Sequence, residues 1–139
     1  VDQAITVAVI DGNPRTRQEL VRRLGQVPGI ALIGETADRD EALALVADRR
    51  PEVVVLDPRH IAPDGVAYLR RLARAAPEAG VVILTTFITG QERRELRWAG
   101  AREILLKEIG SDALVRAIRR AAAQPAIQTP GSLGEGEWP

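Results

Sequence analysis

The chain has 139 residues, 45% apolar and 27% charged, with a formal net charge of zero. That size and balance describe one globular domain and argue against a nucleic-acid binder, which needs a basic surplus. No apolar run approaches the roughly 20 residues of a membrane span, no secretory leader is expected, and the absence of cysteine excludes disulfides and thiolate metal sites.

Ile5 to Ile10 is a short β-branched run that reads as a strand ending at Asp11-Gly12. Pro14, at a first-turn position, opens a helix over 14–26 with Leu20, Val21 and Leu24 on one side. Ile30 to Gly34 is the second strand. Asp38-x-x-Glu41 is a capping pattern for a helix over 38–49 that buries Ala42, Leu43 and Val46. Val53 to Leu56 is the third strand and runs into Asp57-Pro58. A helix over 64–75 places Val66, Leu69 and Leu72 on one face, and Val81 to Leu84 forms the fourth strand, ending at Thr85-Thr86. Residues 89–99 carry a cap at Thr89-x-x-Glu92 but only Leu96, Trp98 and Ala99 for burial, so a short or mobile helix is expected. Ile104 to Leu106 is the fifth strand, ending at Lys107, and a last helix over 111–123 buries Leu114, Ala117, Ile118 and Ala121.

From Gln124 onward prolines and glycines break any periodicity. The expected organisation is therefore one domain over 1–123 and a linker or disordered tail over 124–139, with Trp138 a solvated tail residue or a docking anchor. Methionine is absent, position 1 included, so a chain processed or cut from a longer one is expected.

Continuous apolarity in the strands means that both faces of the sheet are covered. Five strand–helix alternations then give an α/β fold with a right-handed parallel sheet. In such a sheet the ligand site lies beyond the carboxyl ends of the strands. That rule selects Asp11, Asp57, Thr85 and Lys107. Two adjacent carboxylates repel, and a bound cation or an ammonium relieves them. Oxygen ligands with a carboxylate suit Mg2+, while a hydroxyl and an ammonium suit a phosphoryl group. The blander alternatives are turn-forming aspartates and a solvated strand-end lysine. Against them, the chain uses eighteen arginines and places its only lysine at this rim. His60 stands alone in a loop and reads as an ordinary surface residue.

These phrases, in this order, carry a resemblance: Ile10-Asp11-Gly12-Asn13-Pro14, Pro28-Gly29-Ile30 leading to Gly34-Glu35-Thr36-Ala37, Leu56-Asp57-Pro58-Arg59, Asp64-Gly65, Leu84-Thr85-Thr86, and Ala99-Gly100-Ala101 leading to Leu105-Leu106-Lys107. Over about residues 5–122 the chain resembles the receiver domains of two-component response regulators, above all those usually joined to a LuxR-type helix-turn-helix. The resemblance implies a single three-layer (βα)5 doubly wound parallel sheet, the flavodoxin-like receiver fold. It implies a regulatory module rather than an enzyme, placed in the cytoplasm. Asp57 would accept a phosphoryl group from a sensor histidine kinase. Asp11, Asp57 and the backbone carbonyl of Arg59 would hold Mg2+. Thr85, Thr86 and Lys107 would meet the phosphoryl oxygens. The partners would be the kinase and an output DNA-binding domain outside this chain. Separately, the apolar stripes of the first and last helices suit either a second copy or packing on the sheet.

Three positions depart from the family pattern. Gly12 stands where a second acid is usual, which predicts weak or absent Mg2+ binding. Pro58 removes a backbone N–H beside the acceptor. Ile104 replaces the Tyr or Phe that turns inward on activation, leaving Phe87 as the nearby aromatic that could move instead. The residues therefore leave two readings, a phosphorylatable receiver and a pseudo-receiver acting through protein contact or dimerisation. An aspartate-nucleophile phosphatase is excluded by Arg59, which stands where such an enzyme needs a proton-donating acid. The turn Asp11-Gly12-Asn13-Pro14 lacks the glycines of a dinucleotide loop and the Ser/Thr/Gly loop of a flavin site.

Overall fold

A computed structural model describes residues 4–61 and 64–123, the side chains of His60 and Ile61 excepted. The tail expected over 124–139, Trp138 within it, and the side chain of His60 lie outside the described residues. The elements follow one another as β1 (Ile5–Ile10), α1 (Pro14–Gly25), β2 (Ile30–Thr36), α2 (Arg39–Arg49) and β3 (Val53–Leu56). A 3-10 turn (Pro58–Ile61) leads to α3 (Gly65–Ala75), β4 (Gly80–Thr85), α4 (Gly90–Trp98), β5 (Ala101–Leu106) and α5 (Ser111–Ala123).

The five strands form one parallel sheet in the order β2-β1-β3-β4-β5. Side chains alternate between two cores, as a pleated strand requires. Val54 and Leu56 of β3 and Val81 and Ile83 of β4 pack with Ala42 and Val46 of α2, Leu69 and Leu72 of α3 and Leu96 of α4. Val53, Val55, Val82 and Leu84 face the other way, against Leu20 and Leu24 of α1 and Leu114 and Ile118 of α5. The result is three layers, with α1 and α5 on one face and α2, α3 and α4 on the other. The apolar stripes of α1 and α5 are thus buried against the sheet, so a second copy on this side would meet their outer, mostly polar flanks.

Local chemistry sets the helix starts. The Asn13 side chain accepts the Thr16 N–H, with Pro14 at the first turn of α1. Asp38 accepts the N–H groups of Asp40 and Glu41 at the start of α2. The Thr89 hydroxyl accepts from the Glu92 N–H at 3.1 Å, and the Glu92 carboxylate accepts from the Thr89 N–H at 3.0 Å. That reciprocal pair starts α4, which is nine residues long and buries only Leu96. The strand bounds read from the sequence need correcting at both sheet edges. β2 runs on through Glu35 to Thr36, and β5 begins at Ala101, ahead of Ile104. Edge strands carry polar residues on their open side, so apolar runs understate them.

Candidate functional site

The sheet reverses direction of build at β1, which has β2 on one side and β3 on the other. The crevice beyond the carboxyl ends opens there. Three residues follow directly on a strand and keep the ladder going by one bond. The Asp11 N–H donates to the Thr36 carbonyl at 3.1 Å, the Asp57 N–H to the Ile10 carbonyl at 3.1 Å, and the Lys107 N–H to the Thr85 carbonyl at 2.8 Å. Their side chains are therefore aimed by the sheet itself rather than by a loop.

The side chains meet. Lys107 Nζ lies 2.6 Å from Asp57 Oδ2 and 2.8 Å from Asp11 Oδ2. Both carboxylates are buried, and the lysine side chain is 11% exposed. Burial by itself lowers the Lys107 pKa, but hydrogen bonds to Asp11 and Asp57 and their negative charge outweigh it, so the ammonium is held above its ordinary value. The remaining oxygens turn to the backbone. Asp11 Oδ1 accepts the Asn13 N–H at 2.8 Å, and Asp57 Oδ1 accepts the Arg59 N–H at 2.9 Å. Two carboxylates and one ammonium leave this cluster one negative charge in surplus.

Thr85 is buried at the same rim. Its hydroxyl oxygen accepts from Arg59 Nε at 3.1 Å and donates to the Phe87 carbonyl at 3.4 Å. Thr86 is exposed. Of the positions that depart from the family, Gly12 is half-buried and does not have a positive φ. Pro58 opens the 3-10 turn without an N–H, so Arg59 supplies the first amide that turns back onto Asp57. Ile104 is buried in the core shared with α3 and α4.

Sequence reasoning missed three contributors. The Arg59 side chain, beyond its carbonyl, bonds Thr85. Arg17 donates to the Asp11 carbonyl at 2.8 Å while pairing with Glu35 at 3.1 Å, which ties α1 and β2 to the site. Asn13 both caps α1 and binds Asp11. The Asn13-Pro14 pair was a readable cap signal. The direction of two long arginine side chains was not readable from spacing.

The oxygen donors here are hard, namely Asp11, Asp57 and the Arg59 carbonyl. They fit a small divalent cation such as Mg2+, which takes one or two carboxylates and keeps several waters. The fit is thin. Gly12 adds no ligand, Lys107 already holds both Oδ2 atoms, and among the described residues no group of three or more His, Cys, Asp or Glu side chains could hold a metal ion.

The family model for the response regulator receiver domain matches residues 7–119. The chain belongs to the response regulator receiver domain family. Among the relatives of this receiver domain is the DNA-binding transcriptional activator DevR/DosR of Mycobacterium tuberculosis, 31% identical over 86% of this chain and 55% of that protein. The transcriptional regulatory protein LiaR of Bacillus subtilis is 29% identical over 90% of this chain and 60% of that protein. The receiver chain thus spans little more than half the length of these curated relatives. A two-component response regulator of the LuxR family from Aurantimonas sp. SI85-9A1 has the same fold, with a TM-score of 0.80 and 26% identity, covering 96% of this chain and 95% of its own. Among the described residues of the receiver domain, no helix is long and apolar enough to cross a membrane.

Proposed function

We propose that this receiver domain accepts a phosphoryl group on Asp57 from the phosphohistidine of a sensor histidine kinase and thereby switches an output domain, of DNA-binding kind in its relatives, outside this chain. The observation that carries this reading is the Lys107 ammonium 2.6 Å from Asp57 Oδ2, with the buried hydroxyl of Thr85 at the same rim. A carboxylate oxygen of Asp57 attacks phosphorus, the new O–P bond forms as the N–P bond breaks, and the departing imidazole keeps the electron pair. Lys107 then neutralises a phosphoryl oxygen, and Asp11 keeps the ammonium oriented. Mg2+, when held by Asp11, Asp57 and the Arg59 carbonyl, would supply charge neutralisation between carboxylate and phosphoryl oxygens. The place of action in this reading is the cytoplasm, and a second copy would dock through the polar flanks of α1 and α5.

A second reading, a pseudo-receiver working by protein contact, is favoured by one observation. All four carboxylate oxygens of Asp11 and Asp57 have partners within the fold, and Gly12 offers a cation no side-chain ligand.

Incubation with Mg2+ and acetyl phosphate, read by intact mass, separates the two. The receiver gains one phosphoryl group that hydroxylamine removes and that Asp57→Asn abolishes. No mass gain at millimolar Mg2+, with the fold intact, overturns phosphorylation and leaves the pseudo-receiver.

A further inference from the structure

Arg59 faces two ways. Its backbone N–H binds the Asp57 carboxylate at 2.9 Å, while its side chain reaches across to the loop after β4. There Nε donates to the Thr85 hydroxyl at 3.1 Å, Nη2 donates to the Phe87 carbonyl, and the guanidinium sits 5.3 Å from the centre of the Phe87 ring. Phe87 is 61% exposed, the most open large apolar side chain among the described residues. It stands over a groove of about 470 Å3 that Arg59, Thr85, Ile88 and Glu92 also border. One side chain thus fastens both the hydroxyl beside the acceptor and the aromatic at the mouth of α4.

The groups in direct contact with the guanidinium are neutral, a hydroxyl, a carbonyl and a ring face, and the Glu92 carboxylate at the same groove adds only a longer-range attraction. A phosphoryl group brings a charge of about −1.5 to −2 and three strong acceptor oxygens. Hydrogen bonds between ionised partners are roughly twice as strong as neutral ones, and the planar fork of arginine matches phosphate oxygens two at a time. A phosphoryl group on Asp57, two residues away in sequence, therefore outcompetes Thr85 and Phe87 for Arg59. Lys107 is already committed to both carboxylates, so Arg59 is the second cation at hand. The usual inward-turning aromatic is absent, because Ile104 fills that core position.

We propose that Arg59 couples the charge state of Asp57 to the β4–α4 loop: its guanidinium is drawn from Thr85 and Phe87 to the phosphoryl oxygens, freeing the Thr85 hydroxyl and releasing the exposed Phe87 ring as the moving aromatic. This rests on the phosphorylatable reading above. Arg59 acts as a positioning residue, and release of Phe87 changes the surface at the start of α4, a helix whose one buried residue is Leu96.

The test uses the 15N-labelled chain with Mg2+ and beryllium fluoride, a phosphoryl mimic, in wild type and in Arg59→Gln. Sheet amides report that both fold alike. In wild type the Arg59 Nε–H resonance is expected to move, together with the amides of Phe87 and Ile88. In Arg59→Gln, before any addition, the Phe87 and Ile88 amides lie displaced towards the wild-type liganded positions, and the mimic shifts them by less than in wild type. Shifts at Asp57 and Lys107 with Arg59 Nε–H and Phe87 unmoved overturn the coupling and leave the receiver reading standing. No shift at Asp57 or Lys107 overturns both.

Discussion

Lys107 Nζ lies 2.6 Å from Asp57 Oδ2, and the same ammonium reaches Asp11. One cation thus bridges two buried carboxylates. Removing it leaves two like charges side by side in a poorly hydrated place. Lys107→Gln is expected to lower unfolding stability by about 3–5 kcal/mol, the usual cost of breaking a buried pair. Adding Asp11→Asn to that variant recovers part of the loss. Urea unfolding of the single and double variants checks both, and equal stability of the two would refute the account.

The pH dependence follows from two shifted groups. Lys107 is held above its ordinary value of 10.5, so its contribution is complete below that pH and is lost as pH rises through the folded value. Glu92 is held below its ordinary value of 4.5, chiefly by the Thr89 backbone hydrogen bond, so its contribution is complete above that pH and is lost in acid. Amide exchange or chemical shifts across a pH series are expected to loosen the start of α4 first on the acid side. On the alkaline side the Asp11–Asp57–Lys107 rim loosens first.

Gly12 offers no ligand, and its φ is one that any residue adopts. Gly12→Asp therefore adds a carboxylate without backbone strain. An added ligand charge worth about 1.4 kcal/mol tightens Mg2+ binding about tenfold, and titration calorimetry measures it. Unchanged affinity would mean that position 12 does not face the cation.

Gly80 begins β4 against the end of α5. A Cβ there would meet the backbone of Ala121, with the carbonyl carbon at 2.9 Å and the Ala121 Cβ at 3.0 Å. Backbone cannot step aside, so Gly80→Ala is expected to cost about 1–3 kcal/mol by overpacking. At Gly34 the nearest atoms are the flexible end of Leu45, with Cδ1 at 2.8 Å. Gly34→Ala is expected to cost less, and thermal unfolding of the pair ranks them.

The inner strands were legible because β1, β3 and β4 are buried on both faces, which leaves unbroken β-branched runs. The edges were not. Glu35 in β2 is exposed and Arg102 and Glu103 in β5 are half-buried, while Thr36 is polar but buried, so polarity masked the pairing. Asp11, Asp57 and Lys107 could be selected because topology alone sends strand ends to one rim. The reach of Arg17 and Arg59 depends on several rotatable bonds in each side chain, and no spacing encodes those. For α4 the cap at Thr89 was readable, while the thin apolar face correctly pointed to a short helix.

A chain with eighteen arginines and a single lysine has one side-chain amine for acylating reagents. That amine is clamped in protonated form between two carboxylates, and acylation needs the free base. Its labelling rate therefore counts how often the rim opens. Any kinase, cation or phosphoryl mimic that engages the acceptor would register as a change in one peptide mass, without a reporter dye or an engineered probe.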